Sequence, residues 1–308
     1  MAAPALMALD WGTTNLRAYL VGSGGEVLAR EERPLGIMQV AKADFAGALD
    51  ETLKAWLPLP PGLPIIACGM IGSRQGWREA PYVACPAGAA EVARGMIAVE
   101  WRDGQPVLLI PGISCRDSRG VPDVIRGEET QIFGATTGDS GLFLLPGTHS
   151  KWVAVEKGRI ISFATFMTGE VFGVLRQHSI LGRTMQGGEI DEGGFRRGVA
   201  AAAEGSGALL HGLFGARALN LFGELAEREG AGYLSGLLIG TELLEAPRVL
   251  GFAGEPSSVG LIGQPQLCRS YAMAAAELGY ATSGAAPDAA VQGIWRLACA
   301  RGLVKGAV

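Results

Sequence analysis

The segment that decides the fold is residues 8–20, which reads Ala8-Leu9-Asp10-Trp11-Gly12-Thr13-Thr14-Asn15-Leu16-Arg17-Ala18-Tyr19-Leu20. An apolar run ends in Asp10, a short turn of glycine and threonine follows, and an extended pattern then resumes. This pattern predicts a β-hairpin whose turn presents backbone N–H groups, hydroxyls and one carboxylate. Such a turn can hold a phosphate group, with Asp10 close enough to act on the metal ion of that phosphate.

The same arrangement recurs roughly half a chain length later, which is the signature of an internal duplication. An apolar strand at residues 142–145 runs into the turn Pro146-Gly147-Thr148-His149-Ser150-Lys151, and two further extended segments follow. Both turns contain a Gly-Thr pair, hydroxyl side chains and then a basic residue. Two such turns, one in each half, can grip the phosphates of one nucleotide from both sides.

The duplication predicts an α/β protein with two lobes, each containing a mixed sheet with flanking helices, and a nucleotide cleft between them. A small, polar segment at residues 134–141 separates the two halves. We therefore expect an N-terminal lobe at residues 1–135, with the first phosphate motif and a substrate loop. The C-terminal lobe, residues 136–308, then contains the second phosphate motif and a strand–glycine–helix junction at residues 258–278.

The composition is that of a globular enzyme and excludes several other classes of protein. The chain has 308 residues, 48% of them hydrophobic and 18% charged, so it is longer than one typical core and well buried. A net charge of −4 without any Lys/Arg block argues against a nucleic-acid partner. Residues 1–9 lack the positive segment of a secretory signal, and no apolar window is long enough to span a bilayer. The five scattered cysteines are typical of free thiols, so we expect a cytoplasmic protein.

A polar, aromatic segment follows the predicted strand at residues 63–67. It begins at Gly69 and contains Met70, Ser73 and Trp77. Ligands gather at the carboxyl ends of strands in open α/β sheets, so we expect these four residues to contact the substrate. The alternative is an ordinary surface loop.

Acidic residues before and within the next predicted helix are candidates for the general base. The helix begins near Gly127 and has Glu128 and Glu129 in its first turn, and Asp123 precedes it. Acids in the first turn also stabilise a helix through its dipole, which is the structural alternative. On this pattern, Asp123 and Glu128 remain equal candidates for the base.

Three motifs resemble those of the actin, hexokinase and heat-shock chaperone ATPase superfamily: Asp10-x-Gly12-Thr13-Thr14-x-x-Arg17, Gly147-Thr148-His149-Ser150-Lys151 and Val259-x-Leu261-x-Gly263. Four further segments are similar to the 2-dehydro-3-deoxygalactonokinase family: Gly69-Met70-Ile71-Gly72-Ser73 with Gly76-Trp77, Arg126-Gly127-Glu128-Glu129-Thr130-Gln131, Pro146 to Trp152, and His178-Ser179-Ile180-Leu181-Gly182. The resemblance covers nearly the whole chain. One departure is that Gln264-Pro265 follows Gly263, where the superfamily has paired glycines and a small residue.

The resemblance implies an actin-like, ribonuclease H-like fold and phosphoryl transfer from ATP to the 6-hydroxyl of 2-dehydro-3-deoxy-D-galactonate in galactonate breakdown. Asp10 is then the catalytic acid that organises Mg²⁺ through water, and Glu128 or Asp123 takes the hydroxyl proton. The expected ATP contacts are Gly12, Thr13, Thr14, Arg17, Gly147, Thr148, His149, Ser150, Lys151 and Gly263. The expected substrate contacts are Gly69, Met70, Ser73, Trp77, Arg126 and Glu170.

The substrate carboxylate requires a cationic partner, because an arginine fork binds carboxylate oxygens with paired hydrogen bonds. Arg74, Arg116 and Arg126 are the candidates, and the sequence does not choose among them. The alternatives within the fold are a kinase for another small sugar or sugar acid, a phosphohydrolase, and a non-catalytic ATP-binding module. A homodimer is expected from the resemblance alone.

Overall fold

The structure, a computed structural model, describes residues 3–102, 104–136, 140–186, 189–205, 208–251, 258–284 and 288–306. The chain packs as two compact units. The first comprises Met1–Ser140, Val155–Ser162 and Ala286–Val308, and the second comprises Gly141–Ala154 and Phe163–Ala285. Each unit is built from separate segments of the chain. The division into lobes at residues 1–135 and 136–308 remains a prediction. The residues at the centre of the predicted boundary, 137–139, lie outside the described ranges.

The first unit is built on a mixed sheet whose strand order is β3-β2-β1-β4-β7-β6. Its strands are β1 (Pro4–Trp11), β2 (Leu16–Gly22), β3 (Val27–Arg33), β4 (Ile65–Cys68), β6 (Ile97–Arg102) and β7 (Gln105–Leu109). β1, β2 and β3 form an antiparallel meander, and β4 and β7 continue the sheet in parallel from β1. The predicted hairpin is therefore confirmed, with Asp10 opposite Arg17 in its register.

The first unit also contains a smaller sheet that the sequence did not predict. It has the order β5-β8-β9 and consists of β5 (Tyr82–Ala84), β8 (Gly112–Arg116) and β9 (Pro122–Ile125). Residues 111–117 follow a buried strand and include Pro111, Gly112 and Ser114, a pattern that predicts a loop. This prediction is wrong, because β8 occupies most of the segment. These strands are only three to five residues long, too short to show a clear alternation of apolar and polar residues, and their backbone groups pair with each other.

The helices of the first unit are α1 (Phe45–Leu53), α2 (Ala89–Arg94), α3 (Glu128–Ala135) and α9 (Ala289–Ala300). α1 packs its apolar face on the sheet through Phe45, Leu49 and Leu53, as the spacing in the sequence predicts. α3 and the C-terminal helix α9 approach very closely, because a Cβ at Gly293 would lie 1.8 Å from the carbonyl oxygen of Thr130. Both helices therefore belong to one core.

The second unit repeats this architecture with the strand order β12-β11-β10-β13-β14. Its sheet contains β10 (Gly141–Leu145), β11 (Ser150–Glu156), β12 (Arg159–Phe166), β13 (Ser258–Leu261) and β14 (Ala281–Ser283), of which the end of β11 and the start of β12 lie in the segment Val155–Ser162 of the first unit. β10 pairs in parallel with β13, and β13 pairs in parallel with β14, as β1, β4 and β7 do in the first sheet. The predicted α/β fold with a duplicated mixed sheet is confirmed.

The helices of the second unit are α4 (Thr168–His178), α5 (Glu192–Glu204), α6 (Leu209–Leu221), α7 (Gly230–Val249) and α8 (Pro265–Glu277). α7 is buried around most of its circumference and packs against α5. Glycines permit this contact, since a Cβ at Gly236 would lie 2.0 Å from the carbonyl oxygen of Phe195. The glycines of α7 therefore serve close helix packing.

Candidate active site

Asp10 lies at the carboxyl end of β1, between two neighbouring strands that both supply it with a partner. Arg17 of β2 places Nη1 3.4 Å from Oδ2 of Asp10, and the Cys68 thiol of β4 donates to Oδ1 across 3.8 Å. Arg17 is in turn paired with Glu32 at 3.0 Å. Burial raises the pKa of Asp10 above its ordinary value, although Arg17 acts in the opposite direction. Arg17 and Cys68 thus orient the Asp10 carboxylate, and the arginine makes only one contact with it, at 3.4 Å.

Three amides of the turn after Asp10 point away from the neighbouring segment at residues 36–38. The carbonyl oxygens of Gly12, Thr13 and Thr14 accept hydrogen bonds from the amides of residues 36–38, at 2.8–3.4 Å. A carbonyl and the following N–H belong to one trans peptide and point in opposite directions. The N–H groups of Thr13, Thr14 and Asn15 therefore point away from residues 36–38, and the side chains of Thr13 and Thr14 are exposed. This is the arrangement that an anion-binding turn requires.

The N-terminus of α3 lies beside the end of β4. Gly69 has φ +88° and Gly127 has φ +105°, and a Cβ on Gly127 would lie 3.1 Å from the Cα of Gly69. A Cβ on Gly69 would lie 3.6 Å from Oδ1 of Asp10. These glycines therefore allow three backbone segments to meet near the Asp10 carboxylate.

Two consecutive glutamates at the start of α3 have different environments. Glu128 is half-buried and its Oε2 accepts the amide of Arg126 at 2.9 Å. Glu129 is 1% exposed and accepts from the Gly127 amide at 2.7 Å and the Thr130 hydroxyl at 2.8 Å. Burial and then the charge of Glu128 raise the pKa of Glu129 to about 7.

Glu129 is a buried acid that the sequence analysis did not single out. The helical period carried the signal, because Glu129 shares one face of α3 with Ile132 and Phe133, which are both buried. Asp123, the other candidate base, lies on β9 opposite Cys115, and its Oδ1 accepts the amide of Val124 at 2.7 Å. The structure thus separates the two predicted bases onto different elements, α3 and β9.

The predicted substrate loop packs onto an aromatic cluster. Trp77 stacks on Phe45, with ring centroids 6.3 Å apart, and meets Trp11 edge-on at 6.4 Å. Met70 packs against the same core, and the Trp77 amide donates to the carbonyl of Ile71. The cluster fixes the loop from Gly69 to Trp77 directly after β4, and Trp77 itself remains half-buried.

Among the three arginines considered for the substrate carboxylate, one is buried. The Arg126 side chain lies over the Tyr82 ring at 4.4 Å, and its Nη2 donates to the carbonyl of Ala80 at 2.8 Å. Within the described residues, Nε and Nη1 of Arg126 and Oγ of Ser73 are buried without a hydrogen-bond partner. Arg74, by contrast, is 86% exposed and pairs with Glu79. Arg116 is exposed and donates to the carbonyl of Gly120.

The second glycine–threonine loop, Gly147–Lys151, contacts the first turn of α4. The Glu170 amide donates to the carbonyl of Thr148 at 2.9 Å, and a Cβ on Gly169 would lie 2.5 Å from the carbonyl oxygen of Gly147. The His149 ring and the Glu170 carboxylate form a hydrogen bond at the surface. The structure thus brings the predicted residues of this loop together with Glu170.

The two ends of this loop differ in exposure. Thr148 and His149 are exposed, whereas Ser150 is fully buried and Lys151 is buried with its Nζ donating to the carbonyl of His149 at 2.8 Å. The Ser150 hydroxyl donates to Glu242 at 2.9 Å. Gly263, with φ +146°, follows β13, and a Cβ there would lie 3.6 Å from the carbonyl oxygen of Pro146. The predicted motif Val259-x-Leu261-x-Gly263 is therefore adjacent to the loop within the same unit.

The model of the 2-keto-3-deoxy-galactonokinase family matches residues 10–297. The chain belongs to this family. It is 38% identical over 291 residues to the protein named "Probable 2-dehydro-3-deoxygalactonokinase DgoK1" from Rhizobium meliloti (strain 1021), covering 92% of this chain and 93% of that one. It is 32% identical to the 2-dehydro-3-deoxygalactonokinase of Escherichia coli (strain K12), covering 93% and 94%.

A crystal structure of a protein from Sinorhizobium meliloti that carries the same enzyme name is similar to this one, with a TM-score of 0.87 at 36% identity. The match covers 96% of this chain and 98% of that chain. The prediction of the kinase family is confirmed, and the predicted α/β fold matches that of the crystal structure. Among the described residues, no helix is both long and apolar enough to cross a membrane.

Proposed function

We propose that this chain transfers the γ-phosphoryl group of ATP to the 6-hydroxyl of 2-dehydro-3-deoxy-D-galactonate. The observation that carries the proposal is the match to the galactonokinase family over residues 10–297, which include every predicted site residue. The geometry supports it, since Asp10, Gly69 and the start of α3 meet at the carboxyl ends of neighbouring parallel strands.

ATP is proposed to bind through the amides and hydroxyls of both glycine–threonine loops. Thr13 and Thr14 supply exposed hydroxyls and outward N–H groups in the first unit. Thr148 and His149 are exposed in the second, and Gly263 gives the purine side close access to the backbone. Arg17 is shared between Asp10 and Glu32, so it balances the charge of the Asp10 carboxylate in addition to any phosphate contact.

Mg²⁺ is the proposed metal, and Asp10 is the residue that would hold it. Within the described ranges, no group of three or more His, Cys, Asp or Glu side chains is arranged as a metal site. A single carboxylate fits Mg²⁺, which keeps several waters and takes its other ligands from the phosphates of the nucleotide. When bound, the ion neutralises charge on the phosphate oxygens.

Glu128 is the proposed general base. Glu129 is 1% exposed, so it does not present its carboxylate to a substrate, and Asp123 lies on the separate β8–β9 pair. Glu128 is half-buried at the position next to Gly127, which contacts Gly69. The substrate 6-oxygen bonds to the γ-phosphorus as its proton passes to Glu128, and the bond from the γ-phosphorus to the bridging oxygen breaks to release ADP.

Arg126 and Ser73 are the proposed partners of the substrate carboxylate. A buried guanidinium with two unused donors is costly unless an anion satisfies them, and the Ser73 hydroxyl supplies a third unused group. Nη1 of Arg126 lies against Gly72, the residue before Ser73, because a Cβ on Gly72 would be 3.1 Å from it. Since Tyr82 covers the guanidinium and is itself 40% exposed, we expect its ring to move when the substrate binds.

A coupled assay of ADP release over a panel of sugar acids and neutral sugars tests the proposed activity. We expect 2-dehydro-3-deoxy-D-galactonate to accelerate ADP release strongly and to require Mg²⁺. Release without any acceptor would identify a phosphohydrolase, and a faster reaction with another sugar acid would change the substrate. No acceleration by any acceptor would leave only an ATP-binding module.

Variants of the arginines test the carboxylate assignment. Arg126→Gln is expected to raise the KM for the sugar acid by more than about tenfold. The reason is that losing one charge-assisted hydrogen bond weakens binding by roughly ten- to a hundredfold. The KM for ATP should not change. The matched control is Arg74→Gln, which removes an exposed arginine next to Ser73. Equal effects of the two variants would contradict the assignment.

The proposal also includes a cytoplasmic location and a homodimer. The dimer is supported by exposed apolar side chains on and after α6, where Leu210 is 86% and Phe222 is 82% exposed. Light scattering on the purified chain measures its mass directly. A monomeric mass at micromolar concentration would remove the dimer from the proposal without affecting the activity.

A further inference from the structure

Glu242 is a buried acid in the second unit for which the reaction scheme has no role. It lies in the middle of α7, is 2% exposed, and has the buried side chains of Leu238, Ile239 and Leu243 as its neighbours in sequence. Burial raises its pKa above the ordinary value, and the hydrogen bonds that it accepts act in the opposite direction. A carboxylate in such a place is stable only when donors satisfy both of its oxygens.

The donors to Glu242 come from three other elements. The Trp152 indole of β11 donates to Oε1 at 2.8 Å, and an indole N–H can only donate. The Ser150 hydroxyl of β11 and the Tyr271 hydroxyl of α8 donate to Oε2 at 2.9 Å and 2.6 Å. The Thr168 side chain, at the start of α4, forms a further hydrogen bond with this carboxylate.

One of these donors belongs to the second glycine–threonine loop, and another begins the helix that contacts it. Ser150 is part of the loop, and Thr168 precedes Gly169, which packs against the carbonyl of Gly147. The amide after Gly169 donates to the carbonyl of Thr148. Glu242 therefore connects the loop, through Ser150, and the first turn of α4, through Thr168, to α7.

The same contacts bear on the role of Ser150. Its side chain is fully buried, and its hydroxyl faces Glu242, Tyr271 and the carbonyl of Phe166. In this conformation the hydroxyl is turned inward, away from any ligand at the surface of the loop. Ser150 is thus placed to act on phosphate binding through the position of its backbone.

We propose that Glu242 is a positioning residue for ATP: it holds Ser150 and Thr168, and through them the loop Gly147–Lys151 and the first turn of α4, in the conformation that binds phosphate. The inference rests on the proposed function only in naming ATP as the ligand. It assigns Ser150 to the Glu242 network instead of to a direct phosphate contact.

The test measures ATP binding by titration calorimetry and, separately, the KM values for ATP and for the sugar acid. Glu242→Gln is expected to weaken ATP binding by about tenfold, as the loss of a charge-assisted hydrogen bond does, and to leave the KM for the sugar acid unchanged. Tyr271→Phe removes one donor and is expected to weaken ATP binding by about threefold. It also keeps the test valid if Glu242→Gln does not fold.

Thr241→Val is the matched control. Thr241 is buried on the same helix, but its hydroxyl donates to the carbonyl of Leu237 and not to the network. We expect this variant to lower the unfolding temperature without changing the affinity for ATP. If Tyr271→Phe and Glu242→Gln behave like the control, Glu242 has only a structural role and the proposal is overturned.

A double-mutant cycle tests the assignment of Ser150. If Ser150 acts through Glu242, the effect of Ser150→Ala on ATP affinity largely disappears in the Glu242→Gln background. Additive effects would show that Ser150 contacts the phosphate independently and would overturn this part. Because calorimetry does not need turnover, ATP binding tests Glu242 even if no sugar acid proves to be a substrate.

Discussion

Asp10 is held by partners that orient it and by an environment that opposes its charge. Arg17 and Cys68 fix its two oxygens, while burial raises its pKa. A carboxylate whose pKa is raised by burial at a strand end is typical of a functional group. Its place at the strand end gives it access to the turn that follows.

We expect Asp10→Asn to lower kcat by at least about a hundredfold, because the amide does not replace the charge that organises Mg²⁺. Stability should not decrease, since burial already opposes the charged form of Asp10. ADP release and the unfolding temperature measure the two effects. Glu32→Gln, which removes the other partner of Arg17, is the control and should retain nearly full activity.

Glu129 gives the free energy of unfolding a dependence on pH. Its pKa is about 7 in the folded protein against an ordinary value of 4.5, so the folded state binds this proton more tightly. Stability should therefore fall as pH rises from about 4.5 to about 7 and then level off, by roughly 3 kcal/mol for this group.

Glu129→Gln is neutral throughout this range and should remove most of that decrease. Urea unfolding at several pH values between about 5 and 8 measures it. The control is Glu51→Gln, which replaces a glutamate that is 76% exposed and should keep the wild-type slope. A Glu129→Gln variant with the wild-type slope would mean that another group dominates.

At the scale of elements, α4 is fitted to the second loop through one glycine of its first turn. A Cβ on Gly169 would lie 2.5 Å from the carbonyl oxygen of Gly147, so an alanine must push the loop away from the helix. Gly173 is one turn further along α4, and nothing lies within 4 Å of a Cβ built there. The two glycines thus differ in packing on the same helix.

Gly169→Ala is expected to weaken ATP binding and lower the unfolding temperature, because it displaces the loop. Gly173→Ala should leave ATP affinity unchanged and stabilise the helix by about 0.5–1 kcal/mol, since alanine is the better helix former. Calorimetry and thermal unfolding of both variants check this. Similar affinities for ATP in the two variants would argue against a role of the α4–loop contact.

At the scale of the whole molecule, ligand binding should appear as a change in overall stability. A ligand that binds only the folded state stabilises it by about 2.7 kcal/mol at one hundred times its Kd. We expect ATP with Mg²⁺ to raise the unfolding temperature and chelation of Mg²⁺ to remove most of that increase. An increase that is the same with and without Mg²⁺ would contradict the role of Asp10 as its ligand.

The sequence by itself determined the hairpin at residues 4–22, its repetition at residues 141–156, and the family. These features depend on local alternation, turn residues and motif spacing, which can be read along the chain without knowing its packing. The spacing of Glu129, Ile132 and Phe133 also predicts that Glu129 is buried, once this segment is recognised as the helix α3. The sequence also predicts that Asp10 lies at the end of a strand and Glu128 at the start of a helix, because both ends are marked by local residue patterns.

Only the tertiary structure decided which polar groups are buried and what satisfies them. Arg126, among three candidate arginines, loses its exposure because it packs on Tyr82 and Gly72. Ser150 turns its hydroxyl inward because Glu242 lies 92 residues later in sequence and beside it in space. Such contacts depend on how distant segments pack, and a pattern along one segment contains no information about the partner that will meet it.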